Sequence, residues 1–301
     1  MTNHQPRVKE LSAFMLTPMN ESGVDEKAFI RMLQRLVDAR VDSIGVLGST
    51  GSYGYLTLQA RKRITKLALE HADGIPVMVG VGALRTRDVL ELTEDAQKAG
   101  ASELLLAPVS YQKLTDDEVW HLYDTVNRHL AVPLCVYDNP VTTHFSFSDE
   151  LHGRLAQLSH IASIKIPGVP DDAAAAAARV ARLRALIPPT VSIGVSGDAF
   201  ALRGLNAGCD LWYSVLAGVF PAVCRRLVSL AAQGESRLTP EMDARLQPVW
   251  ALFQRYGSLR VVAEMAAQLA LTQQDSLPLP LRRIDSEGVA AVKAIVPLLT
   301  A

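Results

Sequence analysis

The sequence predicts an α/β protein, a (β/α)8 TIM barrel followed by a C-terminal three-helix extension. Short apolar runs alternate with amphipathic stretches of helical period, at intervals of roughly 25 to 30 residues. The apolar runs are hydrophobic at nearly every position, which is typical of parallel strands covered by helices. Eight such units end near Gly234, which is the number that a closed barrel of this kind requires.

The predicted elements can be placed in order along the chain. The strands are expected at residues 11–16, 43–47, 76–81, 103–107, 133–137, 161–166, 191–195 and 211–215. Helices between the first five strands are expected at residues 25–40, 57–71, 86–99 and 115–130. Residues that can cap a helix N-terminus precede five helical segments, at Asp25, Thr57, Thr115, Ser148 and Asp171. Glu118 completes a capping box with Thr115.

The strand pattern stops after the eighth unit. We therefore expect the barrel to occupy residues 1–234 and the helical extension residues 235–301. The extension is predicted to contain helices at 240–256, 259–271 and 286–299, with a proline-rich connector at 277–281. A doubly wound open sheet is the structural alternative, but no GxGxxG motif follows the first strand.

Composition excludes several classes of function. Thirty basic residues balance thirty-one acidic ones, for a net charge of -1, so no basic surface for nucleic acid or an anionic membrane is expected. The apolar run at 211–224 is shorter than the roughly 20 residues that a membrane-spanning helix needs. The first seven residues lack the apolar core of a signal peptide, and three cysteines without CxxC spacing indicate neither a zinc site nor disulfides. A cytoplasmic protein with reduced, buried thiols is expected.

Lys165 is the most informative residue because it lies in an apolar strand, between Ile164 and Ile166. Burial disfavours the charged form of an amine, and an uncharged lysine is a nucleophile that can form a Schiff base with a carbonyl compound. A lysine whose stem packs while its ammonium group reaches water is the alternative. The predicted barrel favours the first interpretation, because active sites of this fold lie at the C-terminal ends of the strands.

Other polar residues are predicted at the same end of the barrel. Ser49 and Thr50 lie between glycines after the second strand, where hydroxyl and backbone N–H groups can bind a carboxylate. Tyr137 ends the fifth strand, and a phenol can both donate and accept a proton. Gly197, after strand seven, and Tyr213, on strand eight, are also expected to face the mouth as substrate-binding residues. Ser214, next to Tyr213, is expected on the same side, while Asp198 is expected to cap the next helix.

The chain resembles the dihydrodipicolinate synthase / N-acetylneuraminate lyase family of class I aldolases. Four segments carry the resemblance, in this order: Gly-Ser-Thr-Gly at 48–51, Tyr137 followed by Pro140, Lys165, and Ser-Gly-Asp at 196–198. It implies that Lys165 forms a Schiff base with pyruvate or another 2-oxo acid. It also implies that Tyr137 relays protons and that Ser49 and Thr50, the latter also in a catalytic role, hold the carboxylate. A homotetramer built from two tight dimers is implied, with no metal or organic cofactor.

The sequence departs from the family pattern in the outer part of the site. Thr142 stands where the synthases have an arginine for a second carboxylate, and Phe200 lies where sialic acid lyases carry acidic residues. Ser110 replaces a relay tyrosine, and Tyr111 follows one position later. We treat Ser110 and Tyr111 as candidate catalytic residues, and Thr142 and Thr143 as candidate contacts to the distal part of a substrate.

These observations predict a lyase of the class I aldolase type that acts on a 2-oxo acid, with pyruvate as the expected substrate. One alternative keeps the imine but dehydrates a sugar-derived 2-oxo acid, or combines hydration with aldol cleavage. An alternative of another class is a protein that binds a 2-oxo acid without turnover, because the substitution at Ser110 interrupts the proton relay.

Overall fold

Eight parallel strands form a closed barrel, as the sequence predicts. The structure is a computed structural model that describes residues 9–235 and 237–300. The first seven residues, for which no signal peptide is expected, lie outside the described part. The strands are β1 (Glu10–Phe14), β2 (Ser43–Val46), β3 (Val77–Gly80), β4 (Glu103–Leu106), β5 (Leu134–Tyr137), β6 (Ile161–Ile166), β7 (Ser192–Ser196) and β8 (Leu211–Ser214). β1 pairs with both β2 and β8, which closes the barrel.

Helices cover the outside of the barrel. They are α1 (Glu26–Asp38), α2 (Leu58–His71), α3 (Thr86–Ala99), α4 (Asp116–Asn127), α5 (Asp149–Leu155), α6 (Ala173–Leu186), α7 (Ala201–Asn206) and α8 (Pro221–Ala232). The capping box of Thr115 and Glu118 is present. The prediction for α6 was wrong by one residue, because Asp172 and not Asp171 accepts the hydrogen bond from Ala175 N.

Three further helices form the C-terminal extension: α9 (Pro240–Tyr256), α10 (Ser258–Gln268) and α11 (Ser286–Thr300). Inside it, Arg283 makes a two-pronged ion pair with Glu264, whose side chain is fully buried. The extension also contacts the barrel, where Arg31 of α1 donates to the carbonyl of Leu271 at 3.0 Å. Within the described residues, no helix combines the length and apolar character needed to cross a bilayer.

Strand residues alternate between the barrel interior and the helix layer. Residues that face the helices form one large apolar core, whereas a second, smaller apolar cluster fills the interior. The interior cluster consists of Phe14, Met78, Leu105, Ala107, Cys135, Tyr137 and Tyr213. All three cysteines are buried and unpaired. The barrel interior is therefore a packed apolar core with polar side chains at its two ends. Lys165 lies at one of these ends.

Candidate active site

Lys165 lies among aromatic rings at the C-terminal end of the barrel interior. Its side chain is buried, with the residue only 4 % exposed. The Nζ atom is 3.6 Å from the centroid of the Phe14 ring, 4.3 Å from that of Tyr137 and 5.2 Å from that of Tyr213. In the described part of the chain no carboxylate forms an ion pair with this lysine. The amino group of Lys165 thus packs on the faces of aromatic rings and forms no ion pair with a carboxylate. In its uncharged form the nitrogen lone pair is available for attack on a carbonyl carbon.

The strands determine where this side chain points. Lys165 is in register with Tyr137 on β5 and with Gly194 on β7. Ser163, two residues earlier on β6, faces the same interior, as the period of two requires. The alternative of a lysine whose ammonium group reaches bulk water does not fit a side chain that is enclosed by three rings.

Glycines make room for the aromatic floor beneath Lys165. A Cβ atom at Gly194 would lie 2.2 Å from Cε2 of Tyr213, and one at Gly45 would lie 2.6 Å from the Phe14 ring. The two rings meet edge to face, with their centroids 5.7 Å apart. The absence of side chains at these two strand positions is what allows two aromatic rings to cross the barrel interior.

Tyr137, Ser49 and Asn139 form a hydrogen-bonded group beside the amine. The Tyr137 hydroxyl donates to Ser49 Oγ at 3.3 Å, and Asn139 Nδ2 donates to the Tyr137 Oη at 2.8 Å. The structure therefore brings together Lys165, Tyr137 and Ser49, as the sequence predicts. Thr50 is buried in the same loop, but among the described residues no hydrogen bond links it to Tyr137.

The loop that carries Ser49 packs against the C-terminal end of β3. Leu47 and Ser52 both have positive φ, at 57° and 53°, and a Cβ at Gly80 of β3 would lie 1.9 Å from the Leu47 carbonyl oxygen. Arg61 on α2 donates to the carbonyls of Gly80 and Gly82, each at 2.8 Å. Burial lowers the pKa of Arg61 to about 10. This guanidinium fixes the end of β3 against which the loop packs.

Tyr213 does not face the mouth as predicted. Its hydroxyl donates to Ser163 Oγ at 3.2 Å and lies 3.4 Å from Cys135 Sγ, deeper in the barrel. Burial raises the pKa of Tyr213 well above its usual value. Ser214, expected on the same side, instead accepts from Ala217 N on the helix side. Tyr213 contributes a ring to the floor of the site, and its polar end is directed away from it.

Asp198 and Gly197 also differ from the prediction. Asp198 does not cap the following helix; it accepts from Trp212 Nε1, Val215 N and Leu216 N at 3.0, 3.1 and 2.7 Å. It thereby joins the loop after β7 to the end of β8. Gly197 has a φ of 79°, and a Cβ there would lie 3.0 Å from the Phe200 ring. Phe200 covers this glycine, so its role is to permit the turn.

The hydrogen bonds of the remaining predicted residues lie within their own loops. Thr143 is buried, and its hydroxyl donates to the Asn139 carbonyl at 2.9 Å, so in this structure its polar group serves the turn. Thr142 is exposed on the same turn. Ser110 Oγ accepts from Gln112 N within its own loop, and Tyr111 is 91 % exposed. Within the described chain, neither Ser110 nor Tyr111 is hydrogen-bonded to Tyr137.

Two residues of the site were missed by sequence reasoning. Phe14 is the last residue of β1, and its position at a strand end was a sufficient reason to consider it. Asn139 lies two residues after Tyr137, so in extended backbone both side chains point to the same side. Among the described residues, no group of three or more His, Cys, Asp or Glu side chains could hold a metal ion.

A closed barrel with an enclosed lysine and an adjacent tyrosine defines an enzyme, a lyase of the class I aldolase type. Residues 7–298 match the model of the dihydrodipicolinate synthetase family, and the chain belongs to that family. The 4-hydroxy-tetrahydrodipicolinate synthase of Nitrobacter hamburgensis is 31% identical over 239 residues, which cover 79% of this chain and 78% of the relative. The synthase of the same name from Rickettsia typhi is 25% identical and covers 97% of both chains.

Solved structures agree in fold. The crystal structure of dihydrodipicolinate synthase from Agrobacterium tumefaciens strain C58 has a TM-score of 0.92, with 43% identity over 97% of this chain and 98% of that one. The enzyme of the same name from Aquifex aeolicus has a TM-score of 0.87, at 23% identity over 96% of this chain and 97% of that one. The resemblance inferred from four short segments is therefore confirmed over nearly the whole chain.

Proposed function

We propose that this enzyme forms a Schiff base between Lys165 and the keto carbon of a 2-oxo acid, pyruvate in the first instance. The observation that carries the proposal is the position of Lys165 Nζ, above three aromatic rings and beside the hydrogen-bonded pair of Tyr137 and Ser49. An amine in this position can attack the keto carbon while the hydroxyls bind the carboxylate of the same molecule.

Each group has a defined task in this reaction. Lys165 adds to the keto carbon to give a carbinolamine, and Tyr137 donates a proton to the departing hydroxyl, which leaves as water. Ser49 and Thr50 hold the carboxylate through their hydroxyl and backbone N–H groups. The protonated imine then accepts the electron pair of a breaking C–C bond, or of a C–H bond at the neighbouring carbon. The lysine thus supplies the electron sink, and the proposed chemistry uses neither a metal nor an organic cofactor.

The second substrate is proposed to lack a carboxylate at its distal end. Thr142, where the family's synthases have an arginine, cannot form the two parallel charged hydrogen bonds that hold a carboxylate. In the loop after β7, the Phe200 ring lies over Gly168 and Gly197, since a Cβ at Gly168 would be 2.4 Å from it. Without the arginine, we expect the enzyme to accept a neutral aldehyde better than an acidic semialdehyde. Hydratase-aldolase chemistry or dehydration through the same imine is the second candidate, favoured by the exposed Thr142 side chain, which can contact a polar distal part of the substrate.

Borohydride trapping with pyruvate tests the imine directly. The expected result is a reduced adduct in the intact mass that maps to the peptide containing Lys165, and no adduct in Lys165→Ala. Lys66→Ala, which removes a lysine whose side chain is 64% exposed on α2, should label as the wild type does. An unlabelled wild-type protein that nonetheless binds pyruvate would refute the Schiff base and favour a binding protein without turnover. A panel of neutral and acidic aldehydes with pyruvate then identifies the second substrate.

We also propose that the enzyme is a cytoplasmic homotetramer built from two tight dimers. Support comes from the large apolar side chains that the single chain exposes on the loops after β3 and β4, where Leu84 is 67% and Tyr111 91% exposed. Sedimentation of the wild type and of a Leu84→Ser, Tyr111→Ser double variant tests this assembly. A wild type that sediments as a monomer would contradict it.

A further inference from the structure

Asn139 completes a triangle of polar atoms with the two hydroxyls beside Lys165. Its Nδ2 atom lies 2.8 Å from the Tyr137 Oη and 3.5 Å from Ser49 Oγ. The third side is the bond that the Tyr137 hydroxyl donates to Ser49 Oγ at 3.3 Å. The amide can only donate through this nitrogen, so the phenol oxygen accepts from Asn139 and its single hydrogen is directed to Ser49.

The side chain of Asn139 is not needed for the turn in which it lies. The short helix Pro140–Thr143 has no side-chain cap, and its first bonds go to the backbone carbonyl of Asn139. That carbonyl accepts from Thr142 N at 3.1 Å, from Thr143 N at 3.0 Å and from Thr143 Oγ1 at 2.9 Å. Any residue supplies a backbone carbonyl. The amide group is therefore free to act on Tyr137.

We propose that Asn139 is a positioning residue for proton transfer by Tyr137, holding the phenol in one orientation and stabilising its oxygen when the proton has left. The inference rests on the Schiff-base function proposed above. Ser110, at the position that the family resemblance assigns to a relay tyrosine, is bonded within its own loop and not to Tyr137. Among the described residues, the group that donates a hydrogen bond to the phenol oxygen is the amide of Asn139.

The proton movements balance with no further reactant. When the carbinolamine is bound, the phenol turns its hydrogen from Ser49 Oγ to the hydroxyl of the carbinolamine and gives up that proton. The C–O bond breaks, and water leaves a protonated imine together with a phenolate. The phenolate then removes a proton from the methyl carbon of the imine. The electrons of that C–H bond form the carbon-carbon double bond of the enamine, and the C=N electrons return to nitrogen. Between the two transfers the negative oxygen is stabilised by the N–H of Asn139.

The orientation also assigns the Ser49 hydroxyl. Because Ser49 Oγ accepts from Tyr137 and lies within reach of Asn139, its own hydrogen is left to be donated elsewhere. A substrate carboxylate on the open side would receive it. One amide thus sets the direction of two hydroxyl donors, which predicts that its loss slows the proton transfers of Tyr137 without removing the imine.

Exchange of the methyl protons of pyruvate in D2O, followed by 1H NMR, tests the inference without knowledge of the second substrate. Asn139→Leu, of similar size but without a donor, should still give the borohydride-trapped adduct on Lys165. Its exchange should be slower by roughly tenfold or more, since a hydrogen bond to a charged oxygen is lost. Val141→Ala, on the same turn and 82% exposed, is the control and should exchange at the wild-type rate.

The pH profile distinguishes positioning from a merely structural effect. Asn139→Asp keeps the size of the side chain but presents a carboxylate to the phenol oxygen. The ratio of its methyl-proton exchange rate to that of the wild type should therefore decrease as the pH rises. The titratable groups that interact with Tyr137, Lys165 on β6 and Tyr53 in the loop after β2, are the same in every variant. If Asn139→Leu unfolds early in a thermal melt, the Asn139→Asp profile provides the test instead.

The outcomes separate this inference from the function on which it rests. Wild-type protein that traps pyruvate and exchanges its protons, with variants of unchanged rate and pH profile, would overturn the role of Asn139 alone. Trapping without exchange in the wild type would also overturn it, while leaving the imine in place. Absence of both in the wild type would remove the Schiff-base function and this inference together.

Discussion

Gly194 and Tyr213 are complementary across neighbouring strands of the barrel. The Tyr213 ring occupies the space that a side chain on β7 would fill, since a Cβ at Gly194 would lie 2.2 Å from its Cε2 atom. On its other side, Gly194 is in register with Lys165 of strand β6. An alanine at position 194 would therefore push on the Tyr213 ring beneath Lys165. It would do so without removing any polar group of the site.

Gly194→Ala is expected to displace the Tyr213 ring toward Lys165. Overpacking of this kind costs roughly 2 kcal/mol in the free energy of unfolding and slows imine formation, because the amine loses its position. Urea unfolding and the rate of borohydride trapping measure the two effects. Gly54→Ala is the matched control, because a Cβ there meets nothing within 4 Å. Equal trapping rates in both variants would show that the ring tolerates the methyl group.

Asp198 holds the end of β8 by accepting from three donors, two of them in fully buried hydrogen bonds, and its replacement tests that role. Asp198→Ala leaves the N–H groups of Trp212, Val215 and Leu216 without their acceptor, which should cost about 3 kcal/mol in stability. The variant should also show altered tryptophan fluorescence in the folded state. Asp171→Ala removes a side chain that is 91% exposed and should change the unfolding midpoint little. A similar midpoint for both variants would contradict the structural role.

The sequence determines the barrel more closely than it determines the site. Strand β6 and helix α3 were predicted with their observed ends, because apolar runs and helical periods are local signals. Lys165, Tyr137 and Ser49 were found for the same reason, since each stands at a strand end or in the loop that follows. The prediction for Tyr213 was wrong because a strand pattern shows which face of the sheet a side chain occupies. It does not show how far into the barrel the hydroxyl group extends. Asn139 was not predicted because residues 138–140 read as a turn, and a turn sequence does not indicate which side chain points toward the site.

Glu103 should make the protein less stable as the pH rises from about 4.5 to about 7. Burial raises the pKa of Glu103 to about 7, against the hydrogen bond donated by Ser163. The folded state therefore keeps a proton that the unfolded chain has lost, and the loss of stability is complete above pH 7. Its full size is up to about 3 kcal/mol. Burial also lowers the pKa of His152 to about 4, which acts in the opposite direction, so the comparison must be made with a variant.

Glu103→Gln keeps the acceptor for Ser163 and cannot ionise. Urea unfolding between pH 4 and pH 8 should give similar stabilities for variant and wild type at the acid end, and a more stable variant at pH 8. Glu150→Gln, at an exposed position on α5, should follow the wild-type curve throughout. Parallel curves for Glu103→Gln and wild type would show that the carboxyl group is solvated in both states.

Arg61 and Arg63 provide a matched pair on one helix, two residues apart, for testing the support of the Ser49 loop. Arg61 is 3% exposed and donates to the carbonyls of Gly80 and Gly82, whereas Arg63 makes an ion pair with Glu26 on the surface. Arg61→Met should cost about 3 kcal/mol in stability, because two carbonyls lose charged donors.

The same variant should trap pyruvate more slowly, since the end of β3 supports the Leu47 carbonyl that precedes Ser49. Arg61→Lys should be only a partial rescue, because one ammonium group cannot reproduce the planar geometry that binds two carbonyls at once. Arg63→Met should leave both stability and trapping close to wild type, since exposed ion pairs contribute little. If Arg61→Met loses stability but traps at the wild-type rate, the guanidinium serves the barrel alone and the loop is positioned by its own backbone.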